Sequence, residues 1–157
     1  MRWRQLNFLF QRADQIKHVA QLNLFSRGVV ADFLLEKDRL FAALNLSEDE
    51  LALYRKIYAF LQPQSPRPDL VIALQASVDT LVDRVHQRGV RYEQRIAPEY
   101  LARLSDAYAH FFHSYDAAPI LFVNTEGLNF VDERTHLNLL LQRISQMRGS
   151  REFFNVA

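Results

Sequence analysis

Hydrophobic residues recur at helical spacing along the first part of the chain. Between residues 2 and 24 most of them follow one another at intervals of three or four, which is typical of an amphipathic helix with one buried face. The apolar positions are Leu6, Leu9, Phe10, Ala13, Ile16, Val19, Ala20 and Leu24. The pattern therefore predicts a long first helix, which the segment Ser26-Arg27-Gly28 ends.

The same spacing predicts further helices along the rest of the chain. A capping box opens one of them, because the Ser47 hydroxyl can accept from the Glu50 amide while the Glu50 side chain reaches back. Pro98 is typical of the first turn of another helix, and Arg88-Gly89 is typical of a helix end. We predict helices over residues 34–44, 47–61, 77–87, 98–115 and 132–147.

Three short apolar runs predict β-strands at residues 28–33, 69–75 and 119–124. Continuous apolar runs are typical of parallel strands that are covered on both faces. Strands that alternate with helices indicate an α/β fold with a parallel sheet. We predict one domain over residues 1–148 and a loose C-terminal tail over residues 149–157. Three strands make a small sheet beside five or six helices, so the pattern indicates that part of a sheet is missing from it.

The composition excludes several kinds of functional site. The chain of 157 residues has no cysteine, so disulfides, thiolate metal sites and cysteine nucleophiles are excluded. Its four glycines are Gly28, Gly89, Gly127 and Gly149, and no two of them lie within twenty residues of each other. Neither a G-x-x-x-x-G-K-[ST] phosphate loop nor a G-x-G-x-x-G fingerprint can therefore occur in these residues.

The charge pattern gives no sign of a polyanionic partner. The formal net charge is +1, so the sequence predicts neither a nucleic-acid polymer nor an acidic membrane surface as a partner. No apolar run is long enough to span a bilayer and the start does not resemble a signal peptide, so we predict a cytoplasmic protein. His110 and His113 have a spacing that could chelate a metal, but a structural role is the favoured interpretation and no metal site is predicted.

Four segments in order resemble the deoxynucleoside kinase family. They are VVADFLLEKDRLFA at residues 29–42, RPDLVIALQAS at 67–77, RVHQRGVRYEQRI at 84–96 and APILFVNTEGLNFV at 118–131. The resemblance implies a three-layer P-loop kinase fold of the nucleoside-monophosphate-kinase type, here helix-rich and N-terminally truncated. It also implies a nucleotide-salvage enzyme that transfers the γ-phosphoryl group of ATP to the 5′-hydroxyl of a deoxynucleoside.

The resemblance also implies residues for a nucleoside pocket. Gln5 and Arg12 have the spacing of the family's base-reading glutamine and the arginine that follows it. Asp32 is nearest to the acidic residue that activates the 5′-hydroxyl as a base, although Phe33-Leu34 replaces the usual Arg-Ser. The family's base-stacking phenylalanine and acidic base contact correspond to Phe41 and Asp38. An alternative interpretation of Phe41 is that it packs in the core. An alternative interpretation of Gln5 is that it belongs to a polar helix face.

Residues for ATP are implied by two further segments. The family's mobile lid has the pattern R-x-x-x-R-G-R-x-x-E, whose arginines neutralise charge on the transferred phosphoryl group. Arg84, Arg88 and Glu93 match it, while Val90 stands where an arginine is usual and Arg91 is the nearest substitute. The resemblance thus implies catalytic roles for Asp32, Arg88 and Arg91. It implies that the adenine of ATP, bound with Mg²⁺, is wrapped by the 124–130 loop, through Glu126, Asn129 and Phe130.

The family pattern begins with a strand, a glycine-rich phosphate loop and a helix, and none of these is present here. In the family that strand lies between the strands that match residues 28–33 and 69–75, so the sequence predicts two facing, unpaired sheet edges. Three explanations remain open. The start of an active kinase is mis-assigned, the chain is a decayed kinase, or it is a non-catalytic nucleotide-binding or protein-interaction module completed by a partner. We predict no activity for this chain alone, and a homodimer or other oligomer.

Overall fold

The computed structural model describes residues 28–62, 67–91 and 93–156, together with Gln11 and Gln15. Most of the predicted first helix lies outside the described residues, and so do the predicted site residues Gln5 and Arg12. The chain divides into two compact units, residues 1–67 and residues 68–157. Each unit is described by itself.

The described part of the first unit is a pair of helices. Helix α1 spans Leu35–Asn45 and helix α2 spans Glu48–Leu61. The predicted capping box is confirmed, because the Glu50 carboxylate accepts from both the backbone N–H and the hydroxyl of Ser47 at 2.9 Å. The two helices bury a small apolar cluster, which consists of Leu35, Ala42, Tyr54, Tyr58 and Leu61.

The strand predicted at residues 28–33 is wrong. These residues are irregular, and the first five of them are exposed, with Val30 completely open to solvent. A strand is stable only where its backbone groups pair with a neighbouring strand. Residues 28–33 pair with no strand among the described residues, so their apolar pattern alone does not make them a strand. Of the two facing sheet edges that the sequence predicts, the one at residues 28–33 is therefore not formed.

The second unit is built on a parallel sheet of three strands. Strand β1 spans Val71–Gln75, strand β2 spans Ile120–Asn124 and strand β3 spans Arg151–Phe154, in the spatial order β1-β2-β3. Both pairs are parallel, with Val71 opposite Ile120 and Ile120 opposite Arg151. The helices α3 (Val78–Arg88), α4 (Pro98–His113) and α5 (Arg134–Gln146) connect the strands. These bounds agree with the predicted helices and with two of the three predicted strands.

The two faces of β2 are both buried, as a continuous apolar strand predicts. On one face Leu121 and Val123 pack with Leu128 and with Leu140 of α5. On the other face Phe122 contacts Phe112 of α4 edge to face. Since β2 is the central strand of the three, its burial pattern is that of a parallel strand within an α/β sheet.

Strand β1 is covered on one face only, which differs from the prediction. Val71 and Ala73 are buried, whereas Ile72 is 39% exposed and Leu74 is 60% exposed. Successive side chains of a strand point to opposite faces, so these two exposed residues share one face. β1 is also an edge strand in the described sheet, and its second edge has no partner strand there.

The loose tail predicted at residues 149–157 is also wrong, because residues 151–154 form β3. Phe153 stacks on Phe122 with ring centroids 4.9 Å apart, and Phe154 packs against the cluster around Leu121. Arg151 donates to the Phe112 carbonyl at 2.9 Å and to the Tyr115 carbonyl at 2.8 Å. Contacts with distant parts of the chain, rather than local periodicity, hold this segment in the sheet.

Within the described ranges, no helix is both long and apolar enough to cross a membrane.

Candidate functional site

The carboxyl ends of β1 and β2 lie side by side and lead into the residues of interest. Gln75 is opposite Asn124, and the next residue, Thr125, donates its backbone N–H to the Gln75 carbonyl at 2.8 Å. In open α/β folds, ligands bind outside the carboxyl ends of the parallel strands. This end of the sheet is therefore the candidate site of the second unit.

Helix α3 is fastened to this end of the sheet by Arg84. Its guanidinium donates to the Thr125 hydroxyl at 2.8 Å and to the Thr125 carbonyl at 2.5 Å. Thr125 is only 3% exposed, and its hydroxyl in turn donates to the Gln75 carbonyl at 2.9 Å. The first arginine of the predicted lid is thus held against the loop that follows β2.

Glu126 makes a second connection between the same loop and the same helix. Its carboxylate accepts from the Ser77 backbone N–H and, at 2.5 Å, from the Thr80 hydroxyl. Ser77 is the N-cap of α3, and its side chain accepts from the Thr80 backbone N–H. The hydrogen bond from the Thr80 side chain, with those from Ser77, lowers the pKa of Glu126 below its ordinary value. Glu126 is therefore a carboxylate at neutral pH and suits the positive end of a helix.

The 124–132 loop is also organised from within by Asn129. Its side-chain carbonyl accepts from the backbone N–H groups of Val131 and Asp132, both at 3.0 Å. Its own backbone N–H donates to Nδ1 of His136 on α5, also at 3.0 Å. Phe130 packs against the apolar cluster of the sheet. Of the residues predicted to contact adenine, Asn129 thus shapes the loop and Phe130 anchors it.

The remaining lid residues lie at the C-terminal end of α3. Gly89 ends the helix with φ 66°, a left-handed conformation that favours glycine, which explains the Arg88-Gly89 pair. Arg88 forms an ion pair with Glu93 at 3.6 Å, and its side chain is 61% exposed. Arg91 is exposed. Arg88 and Arg91 are therefore accessible to an anion, whereas Arg84 is occupied by Thr125.

In the first unit, Asp38 is paired with a buried tyrosine. The Tyr54 hydroxyl of α2 donates to the Asp38 carboxylate of α1 at 2.8 Å. Burial, and then the hydrogen bond to Asp38, raises the pKa of Tyr54, so this hydroxyl remains a proton donor at ordinary pH. Tyr54 therefore fixes the orientation of the carboxylate that the resemblance assigns to the nucleoside base.

Asp32 and Phe41 lie in different parts of the first unit's described segment. Asp32 is exposed in the irregular segment before α1, not at the end of a strand. Phe41 lies on α1 three residues after Asp38, half-buried, and it shares that helix face with Asp38. The first unit thus brings Asp38 and Phe41 together, while Asp32 stands before the helix that carries them.

A metal site is not found among the described residues. No group of three or more His, Asp or Glu side chains comes together there in a way that could hold a metal ion. His110 and His113 are exposed on α4.

Comparison with known proteins identifies the family. Residues 3–147 match the deoxynucleoside kinase family. The chain belongs to the deoxynucleoside kinase family. It is similar to the deoxyguanosine kinase of Bacillus subtilis, with 28% identity over 149 residues that cover 91% of this chain and 72% of that protein. It is also similar to the deoxyadenosine kinase of Lactobacillus acidophilus, with 26% identity over 144 residues that cover 82% of this chain and 67% of that one.

The fold is that of a deoxynucleoside kinase. The structure of deoxyadenosine kinase from M. mycoides with bound dCTP superposes with a TM-score of 0.72 at 24% identity, covering 91% of this chain and 72% of that one. The same enzyme with bound dATP gives a TM-score of 0.70. The predicted α/β fold of the P-loop kinase type is therefore confirmed.

Several residues of this candidate site were not found from sequence. Thr125, Tyr54 and His136 each hold a predicted site residue in place. Thr125 lies within the segment 118–131 but was assigned no role, and Tyr54 and His136 lie outside the four segments that resemble the family. Thr125 carries one available signal, since it follows directly after an apolar strand. Tyr54 and His136 carry none, because their partners lie 16 and 7 residues away on other elements.

Proposed function

We propose that this chain is a deoxynucleoside kinase polypeptide that binds a deoxynucleoside and an ATP-type nucleotide but does not transfer phosphate by itself. The observation that carries the proposal is the family match over residues 3–147, which includes both the α1 segment and the organised loop after β2. The kinase reaction of the family is transfer of the ATP γ-phosphoryl group to a deoxynucleoside 5′-hydroxyl, a step of nucleotide salvage. A cytoplasmic location and the use of Mg²⁺ with ATP stay predictions.

Each site residue takes the role that the resemblance implies. In the first unit, Asp38 and Phe41 would contact the base, Asp32 would accept the 5′-hydroxyl proton, and Gln5 and Arg12 would complete the nucleoside pocket. In the second unit the 124–132 loop would hold adenine through Glu126, Asn129 and Phe130, and arginines would neutralise the phosphates. Support for the second group comes from accessibility, since Arg88 and Arg91 are exposed at the C-terminal end of α3.

Isothermal titration calorimetry tests the proposal. We expect the 157-residue chain to bind deoxyguanosine or deoxyadenosine, and to bind ATP. Arg88→Ala should weaken ATP binding about tenfold, because a charge-assisted hydrogen bond contributes roughly 1.5–3 kcal/mol. The matched control is Arg103→Ala, since Arg103 is an exposed arginine on α4 and should leave the affinity unchanged. Absence of binding heat for every nucleoside and nucleotide would reject the proposed function.

A second candidate function is an interaction module, and the open edge of β1 favours it. The Val71 N–H donates to the Pro119 carbonyl and the Gln75 carbonyl accepts from Thr125, so these residues direct their backbone groups toward β2. Successive residues of a strand direct their backbone N–H and C=O groups to opposite edges, so those of Ile72 and Leu74 point away from β2. The two residues with exposed apolar side chains therefore also carry the open backbone groups, which is the pattern of an edge that recruits a strand.

A second copy of the chain fits this edge by symmetry. If two β1 strands pair antiparallel with Ala73 at the two-fold axis, Ile72 lies opposite the partner's Leu74 and each pair exchanges two hydrogen bonds. We expect sedimentation velocity to find a dimer at micromolar concentration and Leu74→Lys to make it monomeric. Val131→Lys is the control, because Val131 is exposed but lies outside the sheet. A wild-type monomer at these concentrations would contradict the homodimer.

A further inference from the structure

Thr125 joins three parts of the second unit through one short side chain. Its hydroxyl accepts from the Arg84 guanidinium of α3 and donates to the carbonyl of Gln75 at the end of β1. Its carbonyl accepts a second hydrogen bond from Arg84. Thr125 is nearly completely buried, so these bonds are shielded from competing water. Strand, helix and loop are therefore connected at a single residue.

The contacts of Arg84 set it apart from the other arginines of the lid. Two nitrogens of its planar guanidinium are bonded to two atoms of the same residue, which fixes the orientation of the group as well as its position. Arg88 and Arg91, by contrast, are exposed. The resemblance implies that all lid arginines neutralise the phosphates, whereas in this structure Arg84 holds the loop after β2 in place.

A second attachment lies about one to two turns earlier on the same helix. The Glu126 carboxylate accepts from Ser77 and Thr80 at the N-terminal end of α3, while Arg84 is four residues beyond Thr80. Adjacent loop residues are thus tied to two points along one rigid helix. Two separated attachments prevent the loop from rotating about either one, so the start of the 124–132 loop has one position relative to α3.

We propose that Thr125 is a positioning residue that acts through Arg84 to hold the 124–132 loop in the conformation that receives the nucleotide. The inference rests on the proposed function in one respect, namely that this loop binds nucleotide. It goes further by giving Arg84 a loop-holding role and by giving Thr125 a role that no motif predicts. The 124–132 loop and α3 then move as one body, so a shift of α3 also shifts this loop.

Hydrogen exchange of the free chain, resolved by residue, tests the positioning role without a nucleotide. Thr125→Val removes the hydroxyl and keeps the shape, while Thr125→Ser keeps the hydroxyl and is the matched control. We expect Thr125→Val to speed exchange of the Leu128, Val131 and Asp132 amides about tenfold. All three are hydrogen-bonded within the loop. In Thr125→Val the amides of α5 and β3 should exchange at the wild-type rates. In the control Thr125→Ser the loop amides should exchange as slowly as in the wild type.

A second variant keeps the test decisive if Thr125→Val folds poorly. Arg84→Gln removes the other partner, and we expect the same local increase in exchange. Adding Thr125→Val to Arg84→Gln should give little further increase, because both changes break one connection. Unchanged loop exchange in the single variants, or an equal increase throughout residues 68–156, would overturn the positioning role.

ATP titration then separates this inference from the proposed function. If the wild type binds ATP, Thr125→Val should weaken binding about tenfold while Thr125→Ser stays within about twofold, since tenfold corresponds to about 1.4 kcal/mol. Equal affinity of wild type and Thr125→Val would overturn the inference although the proposed function stands. If the wild type binds no ATP, the proposed function fails, and the role of the loop as a nucleotide site fails with it, whatever the exchange rates show.

Discussion

The 157-residue chain is expected to transfer no measurable phosphate from ATP to deoxyguanosine or deoxyadenosine. Its glycines are too far apart for a G-x-x-x-x-G-K-[ST] loop, so no such loop can cradle the β- and γ-phosphates. In a P-loop kinase that loop supplies backbone N–H groups, a lysine and a hydroxyl that holds Mg²⁺.

The expected loss is large because phosphoryl transfer depends almost entirely on positioning and charge stabilisation. Removing a single preorganised donor from a transition state lowers the rate about 10²–10³-fold. Here several donors of the phosphate loop are missing together, so the remaining rate should fall below detection. Binding of the nucleoside is a separate matter, because the residues proposed for it include those of the α1 segment and none of a phosphate loop.

A radiolabelled phosphoryl-transfer assay checks this expectation, with the deoxyguanosine kinase of Bacillus subtilis as the positive control. Robust turnover by the purified chain would contradict it. The DNA before Met1 distinguishes the open explanations further. In-frame codons for an apolar strand and a G-x-x-x-x-G-K-[ST] sequence would indicate a mis-assigned start, whereas a stop codon directly upstream would reject one.

The second large effect concerns stability. Leu121→Ala should lower the free energy of unfolding of the second unit by about 2–5 kcal/mol, which is the usual range for a buried leucine that leaves a cavity. Leu121 is 0% exposed, lies in the central strand and packs with Val123, Leu128 and Leu140. Urea unfolding followed by circular dichroism measures the change.

The matched control for this substitution is Leu141→Ala. Leu141 is a leucine of the same unit, on α5, and it is more than half exposed. Its replacement should change the free energy of unfolding by no more than about 0.5 kcal/mol, as for most surface substitutions. Equal destabilisation by the two variants would mean that the sheet core does not control the stability of the second unit.

Local signals in the sequence predicted the helices and two strands well. The capping box at Ser47, Pro98 at a helix start and Gly89 at a helix end each act within one turn of chain. Strands β1 and β2 were recognisable because a continuous apolar run between helices is typical of a parallel sheet. The family was recognisable from four ordered segments, and the match over residues 3–147 confirms it.

The site was predicted less completely, because a motif names a residue but not its partners. The lid pattern identified Arg84 and Arg88 alike, and only the fold shows that one is held by Thr125 while the other is exposed. Asp38 was implied by resemblance, and only the fold shows that Tyr54 orients its carboxylate. Gln5 and Arg12 lie outside the described residues, so their places in the pocket stay predictions.

The sequence by itself determined the family, the local helix boundaries and the absence of a glycine-rich phosphate loop from these 157 residues. All three depend on residue identity and on short spacings, which the sequence contains directly. The tertiary structure decided which apolar segments became strands. Residues 28–33 lack a pairing partner among the described residues and are irregular. Residues 151–154 form a strand because they pair with β2 and pack against the aromatic side chains around Phe122. A strand is made by its neighbour's backbone, so its existence depends on pairing across the fold.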